Sequence, residues 1–117
     1  MSAQNHGGKS ILRVGSVINL ADGAVEEYER LHADVWPAVL EQISKSNIRN
    51  YSIFRMDLTL FSYFEYVGDD FAADMEAMGA DETTQEWWKV CMPLQRQVPN
   101  TPEGEWWKTI PEIFHCD

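Results

Sequence analysis

The stretch Ile48-Arg49-Asn50-Tyr51-Ser52-Ile53-Phe54-Arg55-Met56 decides the fold, together with the stretch that follows it, Leu60-Phe61-Ser62-Tyr63-Phe64-Glu65-Tyr66-Val67. Both are rich in β-branched and aromatic residues, the types that favour strands. The short link around Asp57-Leu58-Thr59 predicts a β-hairpin, although it lacks the Asn-Gly or Asp-Gly pair that marks the tightest turns. We therefore expect an antiparallel sheet built around this hairpin.

The residues before the hairpin predict one strand and one interrupted helix. The span 11–20 alternates between apolar and polar residues, which is the period of a strand. Asp22 is a candidate helix cap, and apolar residues at helical spacing then run from Tyr28 to Ile43. Pro37 lacks a backbone donor and should bend or end this helix near Trp36.

The residues after the hairpin predict two helices and a last strand. Gly68-Asp69-Asp70 should cap a short helix through residues 71–78, and a second helix should begin near Asp81. A proline-rich loop at 98–104 follows, and Ile110–Cys116 is the expected final strand. The order β-α-β-β-α-β is that of the ferredoxin-like fold, an α+β class with helices on one face of a four-stranded antiparallel sheet.

The face of the sheet without helices must also be covered. It would carry aromatic residues, either the pair Phe64 and Tyr66 or the pair Phe61 and Tyr63. A symmetric homodimer that packs sheet against sheet, a dimeric α/β barrel, covers them most simply. A homodimer is therefore expected.

Composition limits the partners of this chain. With 117 residues we expect a single domain over 11–117, preceded by a flexible tail over 1–10. The formal net charge of −10 opposes nucleic-acid binding and docking on an anionic membrane, and it is compatible with a small neutral or cationic ligand. No signal peptide or membrane-spanning stretch is evident, so we expect a cytoplasmic protein. Cys91 and Cys116 have no metal-ligand or redox spacing.

The chemistry-bearing residues concentrate around one histidine. Tyr28, His32 and Trp36 are spaced by four, which would place them on one face of a helix. Histidine can take up and release a proton near neutral pH, since its unperturbed pKa is about 6.5. On this pattern alone a partly buried structural histidine is the more common outcome than a catalytic one.

Three separated blocks resemble the L-rhamnose mutarotase family. They are Glu26-Glu27-Tyr28-Glu29-Arg30-Leu31-His32 with Trp36-Pro37, then Asn50-Tyr51-Ser52-Ile53, and finally Trp87-Trp88-Lys89, and the similarity runs from about Leu12 to Phe114. Members have a dimeric ferredoxin-like fold and interconvert the α and β anomers of a 6-deoxyhexose without cofactor or metal. The resemblance implies that His32 is the proton donor. Tyr28, one helical turn away, is a candidate either for a hydrogen bond to the sugar or for the second proton carrier. The resemblance also implies that the sugar is bound by Tyr28, Tyr51, Trp87 and Trp88.

The identity of the sugar stays open between L-rhamnose and L-fucose. The link around Asp57-Leu58-Thr59 is shorter than in rhamnose-directed members, and Trp106-Trp107 adds a second tryptophan pair. Either sugar presents a C–H face and a methyl group that an indole can bury, while its hydroxyls need polar partners.

Other functions remain compatible with such a pocket. A small ferredoxin-like dimer could be a cofactor-free monooxygenase, or a haem protein with His32 as the axial ligand. A sugar-binding module without turnover is a third alternative, which would bind the monosaccharide and leave anomer exchange unchanged. No glycine-rich phosphate loop or metal-ligand cluster is evident in the sequence.

Overall fold

The computed structural model describes residues 5–6 and 9–117. The strands and helices, in chain order, are β1 (Asn5–His6), β2 (Lys9–Ser10), β3 (Leu12–Leu20), α1 (Val25–His32), α2 (Pro37–Lys45), β4 (Ile48–Met56), β5 (Thr59–Tyr66), α3 (Phe71–Ala80), α4 (Glu82–Cys91), a 3₁₀ turn (Met92–Leu94), β6 (Gln95–Arg96) and β7 (Lys108–Ile110). Within the predicted flexible tail, residues 1–4 and 7–8 lie outside the described residues, while β1 pairs antiparallel with β2. The flexibility of this tail stays a prediction.

The main sheet is antiparallel, with strand order β4-β5-β3-β6 and β7 also paired to β3. The predicted hairpin of β4 and β5 is confirmed, and Asp57 accommodates its turn with φ of +53°. With two helical segments on either side of this hairpin, the chain has the predicted ferredoxin-like α+β fold.

The last strand was predicted over Ile110–Cys116, but the observed strand β7 ends at Ile110, so the prediction was wrong for residues 111–116. The edge of β3 is instead covered by two short strands, because Pro99 and Pro102 in the intervening loop have no N–H to donate to a ladder. Pro111 ends β7 for the same reason, and residues 111–117 have no regular structure.

The two faces of the sheet have different surroundings. Ile18, Leu20, Leu60 and Tyr66 point toward the helices and are buried there. Phe64 also points inward and contacts Phe71 of α3. Strand residues alternate between faces, so Phe61 and Tyr63 belong to the opposite, outer face, which no helix covers. Of the two aromatic pairs predicted for the uncovered face, it is therefore this one that lies there.

The helical region before the hairpin is two helices rather than one bent helix. α1 ends at His32, and Trp36 has an extended backbone (φ −59°, ψ 133°) as the cap of α2. Helical backbone angles are disfavoured for the residue before a proline, whereas proline itself suits the first position of a helix. The expectation that Tyr28, His32 and Trp36 share one helix face was therefore wrong for Trp36.

A side-chain helix cap is observed at Asp70, within one of the two predicted capping stretches, and at Asp81, where the sequence predicted only the start of a helix. Asp70 accepts a hydrogen bond from the Ala73 amide, and Asp81 accepts bonds from the amide and the hydroxyl of Thr84, each at 2.9 Å. These bonds hold the pKa of the Asp81 carboxyl below its usual range. Asp22 caps no helix, because α1 begins after Ala24 without a side-chain cap.

We expect Asp81→Ala to lower the melting temperature by about 3–6 °C, since it removes the acceptor for two donors at the start of α4. Asp22→Ala is the matched control and should leave the melting temperature within about 1 °C. Because the folded-state pKa of Asp81 is depressed, the difference between wild type and Asp81→Ala should shrink as pH falls through that pKa. Thermal unfolding followed by circular dichroism measures both effects, and equal shifts in the two variants would contradict the assignment of the cap.

Candidate active site

His32, the last residue of α1, is held by the backbone of its own helix. Its Nδ1 lies 2.9 Å from the carbonyl oxygen of Tyr28. A carbonyl can only accept, so Nδ1 carries the hydrogen and donates it, and Nε2 has the free lone pair of the neutral imidazole. Burial lowers the pKa of His32 below 6.5, and the bond to the carbonyl partly offsets this. At neutral pH His32 is therefore an uncharged base at Nε2.

Aromatic rings fix the plane of this imidazole. The ring of Tyr28 stacks on it with centroids 4.2 Å apart, and the indole of Trp87 meets it edge-on at 5.2 Å. Trp36 contacts Trp87 in turn, with centroids 5.1 Å apart. The histidine thus lies between a phenol and an indole, as the sequence suggested, but the indole is Trp87 of α4 rather than Trp36.

A pocket of about 330 Å³ opens beside His32 between the helices and the inner face of the sheet. Its polar groups come from His32 and Tyr51, and Trp87 forms an aromatic wall. The remaining wall is aliphatic and consists of Val35, Val39, Leu40, Ile43 and Ile53. Few polar groups in an apolar cavity are the common composition of a small-molecule site, where the polar groups fix the orientation of the ligand.

Tyr51 reaches the pocket because β4 contains a bulge. The register of β4 against β5 shifts between Arg49 and Ser52, and Asn50 within this shift has φ of +53°. The extra residue lets Ile48 and Tyr51 both face the helices although they are three positions apart. Tyr51 is 43% exposed as a whole, yet desolvation raises the pKa of its hydroxyl to about 12. The phenol is therefore protonated at neutral pH.

Tyr28 is almost fully buried and belongs to both the core and the site. Its ring is part of the main hydrophobic cluster, and its hydroxyl accepts a hydrogen bond from Nε2 of Gln95 at 3.0 Å. Burial raises the pKa of Tyr28 above its usual range, and the bond from Gln95 lowers it in part. The buried thiol of Cys91 lies near both tyrosine hydroxyls, and burial raises its pKa to about 11.

Gln95 was not singled out from the sequence, whereas Trp106 was noted there as part of a second tryptophan pair without a role at the site. Trp106 donates its indole N–H to Oε1 of Gln95 at 2.6 Å, so a loop residue is connected through Gln95 to Tyr28. A single glutamine at the end of a helical segment gives no sequence signal for such a role. The signal is its burial, since Gln95 is only 4% exposed and a buried amide needs partners for its polar atoms.

The structure brings four of the five sequence-predicted site residues together: Tyr28, His32, Tyr51 and Trp87. Trp88 lies on another side of α4, where its ring faces Gly79 of α3, and it is 38% exposed. The two tryptophans diverge because successive helical residues are about 100° apart. Contact between Trp88 and a sugar stays a prediction.

Two further observations concern ions and membranes. Across residues 10–117 no three His, Cys, Asp or Glu side chains converge into a group that could hold a metal ion. In the part of the chain that the structure describes, no helix has both the length and the apolar character to cross a membrane.

Comparison with known proteins gives a consistent family. Residues 13–116 match the family model described as L-rhamnose mutarotase. The chain is 34% identical over 110 residues to an L-rhamnose mutarotase of Lactiplantibacillus plantarum, covering 92% of this chain and 100% of that protein. It is also 34% identical over 88 residues to an L-rhamnose mutarotase of Listeria monocytogenes, covering 75% of this chain and 84% of that protein.

Solved structures give the same fold. A crystal structure of an L-rhamnose mutarotase from Formosa agariphila superposes with a TM-score of 0.68 at 24% identity, over 91% of this chain and 99% of that one. At this identity the likeness supports the fold alone, and the family rests on the sequence matches.

Proposed function

The chain belongs to the L-rhamnose mutarotase family, and on that premise we propose that it is an isomerase that interconverts the α and β anomers of L-rhamnose. The observation that carries the proposal is the neutral His32, with its Nε2 lone pair free beside a pocket lined by Tyr51 and Trp87. The monooxygenase, haem and binding-module alternatives are not favoured by the family match. A cytoplasmic location stays a prediction.

The proposed reaction needs only proton transfers. Nε2 of His32 takes the proton of the anomeric hydroxyl while the bond between C1 and the ring oxygen breaks and C1 becomes an aldehyde carbon. The ring oxygen takes up a proton from a hydroxyl of the site, and the aldehyde then rotates about its bond to C2. Closure on the opposite face reverses both transfers and returns the proton from Nε2, so His32 acts as base and then as acid.

The pocket suits a small deoxysugar in size and polarity. Its 330 Å³ would hold about eleven waters, which is comparable to one pyranose ring with its substituents. The indole of Trp87 offers a flat surface for the C–H face, and the aliphatic wall can bury the methyl group. L-Fucose carries the same methyl group, so discrimination between the two sugars would depend on the polar contacts to the ring hydroxyls.

We also propose a homodimer formed by the outer face of the sheet. Phe54 and Met56 lie on this face and are 65% and 63% exposed. Arg13 of the same face pairs with Glu112, but its Nη1 is buried without a hydrogen-bond partner among the described residues. A second copy of the chain would cover the exposed apolar side chains of this face.

Anomer exchange by NMR tests the reaction. We expect micromolar protein to accelerate exchange between the α and β anomeric protons of L-rhamnose, and His32→Ala to lose roughly 10²–10⁴-fold of the catalysed rate. L-Fucose in a parallel sample tests specificity. His115→Ala is the matched control and should retain the wild-type rate. No acceleration with either sugar, or full activity in His32→Ala, would contradict the proposed function.

The pH dependence of kcat/KM follows from the direction of the His32 shift. Burial lowers the pKa of His32, so the neutral base persists to a lower pH than in free imidazole. We expect a plateau above pH 6.5 and a decline on acidification with a midpoint below 6.5. The uncatalysed rate at each pH is subtracted as the baseline. A midpoint above 6.5, or a rate that rises on acidification, would contradict the assignment of neutral His32 as the base.

The oligomer is tested by light scattering on the eluting protein. We expect wild type to have twice the chain mass and Phe54→Glu to shift toward one chain mass, since a carboxylate on the buried interface would lack a partner. Val90→Glu changes an exposed apolar residue on α4 in the same way and should leave the dimer intact. A monomeric wild type would overturn the proposed interface without affecting the proposed reaction.

A further inference from the structure

Three polar side chains from distant parts of the chain form a hydrogen-bonded series that ends at the site. Trp106, in the loop before β7, donates to Oε1 of Gln95 at 2.6 Å, and Nε2 of Gln95 donates to the Tyr28 hydroxyl at 3.0 Å. Gln95 and Tyr28 are 67 positions apart in the sequence, and the bond between them is buried. The series therefore connects the C-terminal loop to the residue that stacks on His32.

The direction of every hydrogen bond in this series is fixed by its first member. An indole N–H can only donate, so the amide atom that faces Trp106 must be the oxygen. The amide nitrogen of Gln95 then faces Tyr28, where it can only donate. The Tyr28 hydroxyl consequently accepts this bond, and its own hydrogen must point elsewhere.

The free hydrogen of Tyr28 has no acceptor among the described residues. The hydroxyl interacts electrostatically with Tyr51, which lines the pocket, and with the thiol of Cys91, which is a weak acceptor. A buried hydroxyl whose donor is unused is costly unless a ligand or water completes it. Tyr28 is only 3% exposed and does not itself line the pocket, but it stacks on His32 and interacts with Tyr51, and both of these residues line it.

We propose that Gln95, held by Trp106, is a positioning residue that makes the Tyr28 hydroxyl a hydrogen-bond donor toward the substrate. This proposal rests on the proposed function, and it adds that the two stacked rings, Tyr28 and His32, have opposite roles toward the sugar. Neutral His32 accepts the proton of the anomeric hydroxyl, and Tyr28 donates to an oxygen of the same sugar. Without Gln95 the phenol could turn its hydrogen away and present a lone pair to the sugar instead.

A double-mutant cycle tests this assignment through anomer exchange. Gln95→Leu should lower kcat about fivefold to tenfold with KM changed less than twofold, because one hydrogen bond is lost mainly in the transition state. Tyr28→Phe should lower kcat at least as much. In the Tyr28→Phe background, Gln95→Leu should cause no further loss, since Gln95 acts only through the hydroxyl.

Gln97→Leu is the matched control. Gln97 also bonds to the loop of Trp106, through the carbonyl oxygens of Glu105 and Trp106, but it does not reach Tyr28. If Gln95 acted only by anchoring the loop, Gln97→Leu would be as harmful as Gln95→Leu. We expect instead that Gln97→Leu keeps the wild-type kcat. Trp106→Phe provides a second test if Gln95→Leu does not fold. This variant should lower kcat severalfold in the wild-type background and should not lower it in the Tyr28→Phe background.

The outcomes separate this inference from the proposed function. Wild-type exchange with losses that vanish in the Tyr28→Phe background supports both. Wild-type exchange with independent, multiplicative losses overturns the positioning role and leaves the proposed function standing. A wild type that does not accelerate exchange overturns the proposed function and this inference with it.

Discussion

The burial of Tyr28 is the constraint on which most of this structure depends. Its ring fills the core between α1 and the sheet, and the same ring stacks on His32. Its carbonyl holds Nδ1 of His32, and its hydroxyl would be a buried, unpaired polar group without Gln95. The pairing of β6 with β3 places Gln95 where it reaches this hydroxyl. The site and the core are stabilised by the same contacts.

The two faces of the sheet contribute to different surfaces, the inner face to the pocket and the outer face to an exposed apolar surface. The inner face, with the helices packed on it, forms one wall of the pocket through Tyr51 and Ile53. The outer face carries the exposed Phe54, which directly follows Ile53, and the exposed Met56. Since strand residues alternate, neighbouring positions of β4 contribute to different surfaces, and a register slip of one residue would exchange both at once.

Much of the fold could be predicted from local patterns, because β-rich runs, helical spacing and aspartate caps act over a few residues. These patterns correctly predicted the hairpin, α3 and α4, and the proximity of Tyr28 to His32. Pro37 likewise predicted a bend or an end of the helix near Trp36, whereas the division of the last strand and the partners of Gln95 could not be predicted. They depend on where a proline rigidifies the chain and on contacts between residues 11 to 67 positions apart, which no local pattern records.

The bulge at Asn50 has a consequence beyond the direction of Tyr51. β4 is the outermost strand of the sheet, so one row of its backbone groups has no neighbouring strand within the described chain. Such an edge can recruit strands from other molecules and start aggregation, and a local irregularity flanked by charge is a common protection. Here Arg49 borders the bulge, and Arg55 lies three residues beyond it on the same strand. The distortion that turns a site residue inward also makes the edge a poor template for a foreign strand.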